Sequence, residues 1–187
     1  MPNNYLETSL VDKAIIFATN AHHNSERRGK GFAYIIHPLE TMTIVATMTN
    51  DPELLAAAVL HDTVEDTNTT IEDIRKEFGD RVVTIIENET IIDDGSMPWK
   101  ERKLITIDHI KKSSKDSKIV ALGDKLSNIR SIYLDYLEMG DKLWDKFHCN
   151  EKEEIKWYYV SLAEALEELK DTYAYKEYIE LLNKTFN

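Results

Sequence analysis

The stretch "PELLAAAVLHDTVED", Pro52 to Asp66, constrains this chain more than any other. Its apolar run, Leu54 to Leu60, reads as a helix whose alanines let neighbouring helices approach closely. The run leads straight into His61, Asp62, Glu65 and Asp66. Ionised carboxylates are costly to bury unless a positive charge meets them. A helix that delivers these groups at its end therefore raises the question of a metal ion.

The rest of the chain reads mostly as helix. Asp51 is a natural N-cap for the Pro52 helix, with Pro52 at the first helical position and Glu53 near the positive end. Leu10 to His22 carries Ala14, Ile15, Phe17, Ala18 and Ala21 on one face. The glycines of "RRGKGFAY" break that pattern into a loop, and "HPLETMTIVATM" restarts a helix on Pro38. Thr70 to Asp73 resembles a capping box for a short helix ending at Gly79. "DRVVTIIENET" has strand-like Val and Ile content, but Val82, Ile85, Ile86 and Glu89 keep helical spacing. "IIDDGSMP" reads as a loop and "WKERKLITIDHIKK" as a helix. Ile119, Leu122, Leu126, Ile129 and Tyr133 then recur at three-and-four spacing. "EEIKWYYVSLAEALEELKD" and "YAYKEYIELLNKTF" close the chain as two amphipathic helices. With no repeat, low-complexity tract or linker, the expectation is all-α: one domain over 1–187, its core about 10–170.

Composition narrows the function classes. Thirty-four acidic residues against 23 basic ones leave a net charge of −11. Such a surface argues against non-specific nucleic-acid binding, which needs Lys and Arg on phosphates. It still admits a small phosphorylated substrate if a metal and a local basic cluster reverse the field. "SERRGKG" supplies Arg27, Arg28 and Lys30. No apolar run approaches the ~20 residues of a membrane span, and no secretory signal is expected at the N-terminus. One cysteine, Cys149, excludes an internal disulfide framework and fits a reducing cytoplasm.

Within a helix, His61 and Glu65 share a face, as do Asp62 and Asp66. Adjacent His61 and Asp62 sit about 100° apart around the axis, so both can reach one ion. A divalent cation needs at least three such ligands. His37 in "YIIHP" and Asp124 in "ALGDKLSN" are further candidates, with Asn128 one turn after Asp124. Taken singly each has a plainer explanation: an exposed His-Pro, a helix-terminal hydrogen bond, a solvated helical Asp. Their order and apolar surroundings lift them above it. His22 and His23 suit a helix end or core, His109 solvent, and "KWYYV" core packing; His148 and Cys149 lack a nearby base.

The order His…His-Asp…Asp resembles the HD superfamily of metal-dependent phosphohydrolases. "GFAYIIHPLE", "AAAVLHDTVEDTNTTIEDIRKEFGDRVVTII", "WKERKLI" and "IVALGDKLSNIR" are similar to the hydrolase domain of the RelA/SpoT-homologue family, particularly its small stand-alone alarmone hydrolases. The likeness runs from roughly Ala14 to Leu166. It implies an HD-domain helical bundle with a metal site between helices. It also implies that His37, His61, Asp62 and Asp124 hold one divalent cation, typically Mn2+. Glu65 and Asp66 match the family's Glu-Asp pair beside the attacking water. Arg27 would stack on the base, Arg28 and Lys30 meet phosphates, Lys125 stand near a phosphate and Asn128 contact the nucleotide. Two departures stand out: Ala33 where the family usually has Pro before the Tyr, and Gly123 where it usually has Ala.

The resemblance thus implies removal of the 3′-diphosphate of guanosine tetra- or pentaphosphate as pyrophosphate, leaving GDP or GTP. The implied partner is a small guanine nucleotide, with neither nucleic acid nor membrane, and a homo-oligomer is left open. No synthetase domain is expected in a chain of this length. Two alternatives stay open: another nucleotide substrate, such as the 2′-phosphate of NADPH or a nucleoside monophosphate, or a non-catalytic nucleotide sensor.

Overall fold

A computed structural model describes residues 9–27, 29–88, 97–147 and 151–186. Ten helices follow one another among them: α1 Ser9–Ala21, α2 Ile36–Val45, α3 Pro52–Leu60, α4 Thr63–Asp66, α5 Ile71–Phe78, α6 Asp80–Glu87, α7 Trp99–Lys112, α8 Lys115–Met139, α9 Lys152–Ala165 and α10 Tyr173–Phe186. Two 3₁₀ segments, Gly140–Lys146 and Glu167–Leu169, flank α9. No strand forms among the described residues, and their one β-bridge joins Glu26 to Ala33. The fold is all-α, as expected. Arg28, most of the "IIDDGSMP" loop, His148 and Cys149 lie outside the described residues.

The expected punctuation is present. Asp51 Oδ1 accepts the Glu53 backbone N–H at 2.9 Å, with Pro52 opening α3. Thr70 and Asp73 form a reciprocal capping box on α5, and Gly79, at φ 87°, separates α5 from α6. That positive φ suits glycine, which carries no Cβ to clash. "DRVVTIIE" is helical, its Val82, Val83, Ile85 and Ile86 all buried.

Two expectations about helix continuity are corrected. The Pro52 segment is not one helix through Asp66: α3 stops at Leu60, and Asp62, at φ −90° and ψ −4°, turns the chain into α4. The Thr63 hydroxyl donates to the Leu60 carbonyl at 2.6 Å, satisfying a group that the break leaves free. The Asp66 N–H still bonds the Asp62 carbonyl, at 2.9 Å. The stretch ending "EALEELKD" is likewise interrupted after Ala165 and tightens into the second 3₁₀ segment.

Helix α8 lies at the centre, packed against α2, α3, α6, α7 and α10. Alanines 56, 57 and 58 of α3 are wholly buried, as the close helix approach requires. Gly123 sits in a tight passage. A Cβ there would lie 2.7 Å from Val45 Cγ2 and 3.1 Å from the Thr41 carbonyl oxygen. The glycine thus lets α8 lie directly on α2 one residue before Asp124. No helix among the described residues is long and apolar enough to cross a membrane.

Candidate metal centre

Four side chains from three packed regions converge. His37 comes from the first turn of α2, His61 and Asp62 from the break between α3 and α4, and Asp124 from the middle of α8. His37 Nε2 lies 3.1 Å from Asp124 Oδ1 and 3.5 Å from Asp62 Oδ2. His61 Nε2 lies 3.1 Å from Asp62 Oδ2 and 3.7 Å from Asp124 Oδ1. His37, His61 and Asp62 each offer a ligand atom, all within 4.8 Å of one another. Both histidines and Asp124 are buried and Asp62 is half-buried.

Hydrogen bonding sets which ring nitrogens face the cluster. His61 Nδ1 lies 2.8 Å from the Ala58 carbonyl, which only accepts, so Nδ1 carries a proton. His37 Nδ1 lies 2.8 Å from Ser127 Oγ, whose own hydrogen goes to Glu40 Oε2 at 2.7 Å. Ser127 must therefore accept from His37. With the rings neutral, each Nε2 lone pair would face carboxylate oxygens, and His61 Nε2 is buried without a hydrogen-bond partner. Two imidazoles and two carboxylates converging in this way are a donor set that suits a divalent cation.

Electrostatics show how strongly the carboxylates draw positive charge to this point. Burial alone would lower the His61 pKa, but the adjacent Asp62 and Asp124 carboxylates lift it well above its ordinary value. Burial works against ionisation of Asp62, yet His61 and His37 hold it well below the usual carboxylate range. Asp124 is held low in the same way by Lys125 and both histidines. Glu65, although it keeps an exposed face, is pushed upward by burial and by the Asp62 and Asp66 charges.

Beside the cluster opens a cavity of about 330 Å³ lined by Glu65, Asp66, Lys125, Asn128, Arg27, Arg102 and Lys103 together with three of the cluster residues. Asn128 donates to Asp124 Oδ1 and accepts from Arg27, so the three form a chain along one wall. Arg27 also lies over the Tyr34 ring, 5.4 Å from its centroid. A second cavity of about 700 Å³ shares Arg27, Tyr34 and Asn128 and adds aromatic walls from Trp99, Phe147 and Tyr159. A cluster of metal-type ligands, a carboxylate pair and a basic wall in one cleft suit attack of water on a phosphorus centre, with an aromatic chamber alongside.

A family model described as the HD domain matches residues 14–139. The chain belongs to the HD-domain family. It is 40% identical over 129 residues to a guanosine-3′,5′-bis(diphosphate) 3′-pyrophosphohydrolase MESH1 of Xenopus tropicalis, covering 67% of this chain and 71% of that one. The Homo sapiens protein of the same name is 36% identical over equal shares. A solved structure described as a metazoan ortholog of SpoT that hydrolyzes ppGpp superposes with a TM-score of 0.75 at 25% identity, covering 96% of this chain and 97% of that one.

In this HD-domain protein the described sequence-derived candidates occupy two settings. His37, His61, Asp62, Asp124, Glu65, Asp66, Lys125, Asn128 and Arg27 line or adjoin the smaller cavity. Lys30 sits on the larger one, its Nζ paired with Asp135. Arg28 is not among the described residues. Sequence reasoning missed Tyr34, whose hydroxyl donates to Asp62 Oδ2 at 2.6 Å. It also missed Arg102 and Lys103, although both lie in the quoted "WKERKLI", and Tyr158 from "KWYYV". Spacing could not reveal them, because only packing of α7 and α9 brings them to the cleft. Lys103 is lowered to about 8 by burial and by neighbouring Lys125 and Arg102. His22 is buried at the end of α1, as expected, its ring 4.8 Å from that of Tyr34.

Proposed function

We propose that this chain is a metal-dependent hydrolase that removes the 3′-diphosphate of guanosine tetra- or pentaphosphate, releasing pyrophosphate and leaving GDP or GTP. The observation that carries the reading is the meeting of four metal-type ligands with Glu65, Asp66 and a basic wall in one cleft. The names of the relatives above support the choice of substrate. His37, His61, Asp62 and Asp124 hold one divalent cation, Mn2+ in this reading. When bound, such an ion would acidify water and offset phosphate charge.

The chain's own groups do the rest. Glu65, with its raised pKa, accepts the proton of the attacking water while Asp66 orients it. Lys125, Arg102 and Lys103, which line the same cavity, meet the phosphates. Arg27, steadied by Tyr34 and Asn128, stacks on the base, which lies in the larger cavity. Residues 1–187 act as one HD-type unit in the cytoplasm.

The test uses the purified protein with Mn2+ and guanosine tetraphosphate, products being resolved by anion exchange. GDP and pyrophosphate form, and both vanish with EDTA or in Asp62→Ala. A correctly metallated protein that leaves guanosine tetraphosphate intact refutes the substrate assignment.

A further inference from the structure

A continuous hydrogen-bonded path runs from α10 to the candidate metal ligand His37. Arg130 on α8 forks onto Glu177 of α10, with Nε at 2.7 Å and Nη2 at 2.8 Å from its two carboxylate oxygens. Its third nitrogen, Nη1, donates to Glu40 Oε1 on α2 at 3.0 Å. The other oxygen of Glu40, Oε2, accepts from Ser127, and Ser127 accepts from His37 Nδ1. Ser127 and His37 are 1% and 4% exposed, so water does not readily substitute for either bond.

Direction is what matters in this path. A guanidinium only donates and a carboxylate only accepts. Arg130 therefore occupies one Glu40 oxygen, and the other must take the Ser127 hydrogen. That leaves Ser127 only its lone pairs for His37, which pins a proton on Nδ1 and leaves Nε2, facing Asp62 and Asp124, as the nitrogen that can ligate. His61 needs no such arrangement, because a backbone carbonyl performs the same task for it.

We infer that Glu40 is a positioning residue for the metal ion: acting through Ser127, and oriented by Arg130 and Glu177, it keeps His37 in the tautomer that can ligate. Glu40 lines neither cavity. Partners that orient a ligating histidine typically change metal affinity 10–100-fold when removed. The inference rests on the metal-site reading above and adds that α10 takes part in the site from its far side.

An isosteric substitution can reverse the path without emptying it. In Glu40→Gln the amide oxygen is held by Arg130, so its NH2 faces Ser127. Ser127 then accepts from the amide and donates to His37 Nδ1, which puts the proton on Nε2 and blocks ligation. Replacing Arg130 as well frees the amide to turn its oxygen back to Ser127. The experiment measures Mn2+ dissociation constants by electron paramagnetic resonance of the free ion. The proteins are wild type, Glu40→Gln, Glu40→Gln/Arg130→Met and Ser127→Ala, each checked for helical circular dichroism.

The expected results are a Kd raised about 10-fold or more in Glu40→Gln, and by about 10-fold in Ser127→Ala. Most of the affinity returns in the double variant. A merely structural role for these residues predicts the opposite sign, the double variant being worse than the single one. A Kd within twofold of wild type in both Glu40→Gln and Ser127→Ala overturns the inference, as does a double variant that binds no better than Glu40→Gln. Wild type that takes up no Mn2+ overturns the metal-site reading itself, and this inference with it.

Discussion

Glu65 and Lys103 face the same cleft with shifts in opposite directions, each towards its neutral form. Burial and two flanking carboxylates raise Glu65, which makes it a better proton acceptor than an ordinary surface Glu. Glu65→Gln keeps the shape and removes the basicity. Turnover of guanosine tetraphosphate is expected to fall 10²-fold or more, with Mn2+ affinity unchanged. Unchanged turnover removes the role given to Glu65. Lys103 is lowered from 10.5 to about 8. Between these values the unfolded chain binds a proton that the folded one has lost, so folding stability rises with pH across that window. Below about pH 8 the ammonium is retained and its burial penalty is fully present. Lys103→Met is therefore expected to stabilise the free protein most below pH 8, the gap to wild type narrowing as pH climbs towards 10.5. Thermal unfolding of both proteins over pH 7–10 checks this, and a gap that widens with pH contradicts it.

The helices themselves were largely legible, because the signals that make them are local. The Asp51 cap, the Thr70–Asp73 box and the Gly79 stop all depend on a few neighbouring residues. The break at His61–Asp62 was not legible. Helical spacing continues unbroken through "AAVLHDTVED", and only in the packed structure does Asp62 leave the helical path. In the sequence Gly123 shows only as a departure from the usual Ala. It is the point at which α8 meets Thr41 and Val45 of α2, and a β-branched valine has little freedom to retreat. Alanine gains up to about 1 kcal/mol of helix propensity against an overpacking cost of about 1–3 kcal/mol. Gly123→Ala is therefore expected to destabilise the protein, and to weaken Mn2+ binding by moving Asp124. Denaturant unfolding with parallel metal titration tests both. A stabilised variant with intact metal affinity would show that α2 yields easily.

On the scale of the whole molecule, the candidate ligands stand on α2, at the α3–α4 break and on α8. An ion held there clamps these regions and stabilises only the folded chain. At 100 times its Kd, Mn2+ is expected to contribute about 2.7 kcal/mol, raising the melting temperature by about 5–10 °C in a chain of this size. EDTA should reverse the shift, and a melting temperature indifferent to both would count against the site. The all-α class, most helix positions and the identity of the four ligand candidates are properties of the sequence alone. Helical period, caps and the His-Asp doublet are short-range patterns that survive being read as text. The convergence of Asp124 with His61, the arrival of Lys103, Arg102 and Tyr158 in the cleft, and the path from Glu177 to His37 belong to the tertiary structure. Those contacts join residues far apart in the chain, and burial of apolar faces against α8 decides which polar groups are carried to the centre.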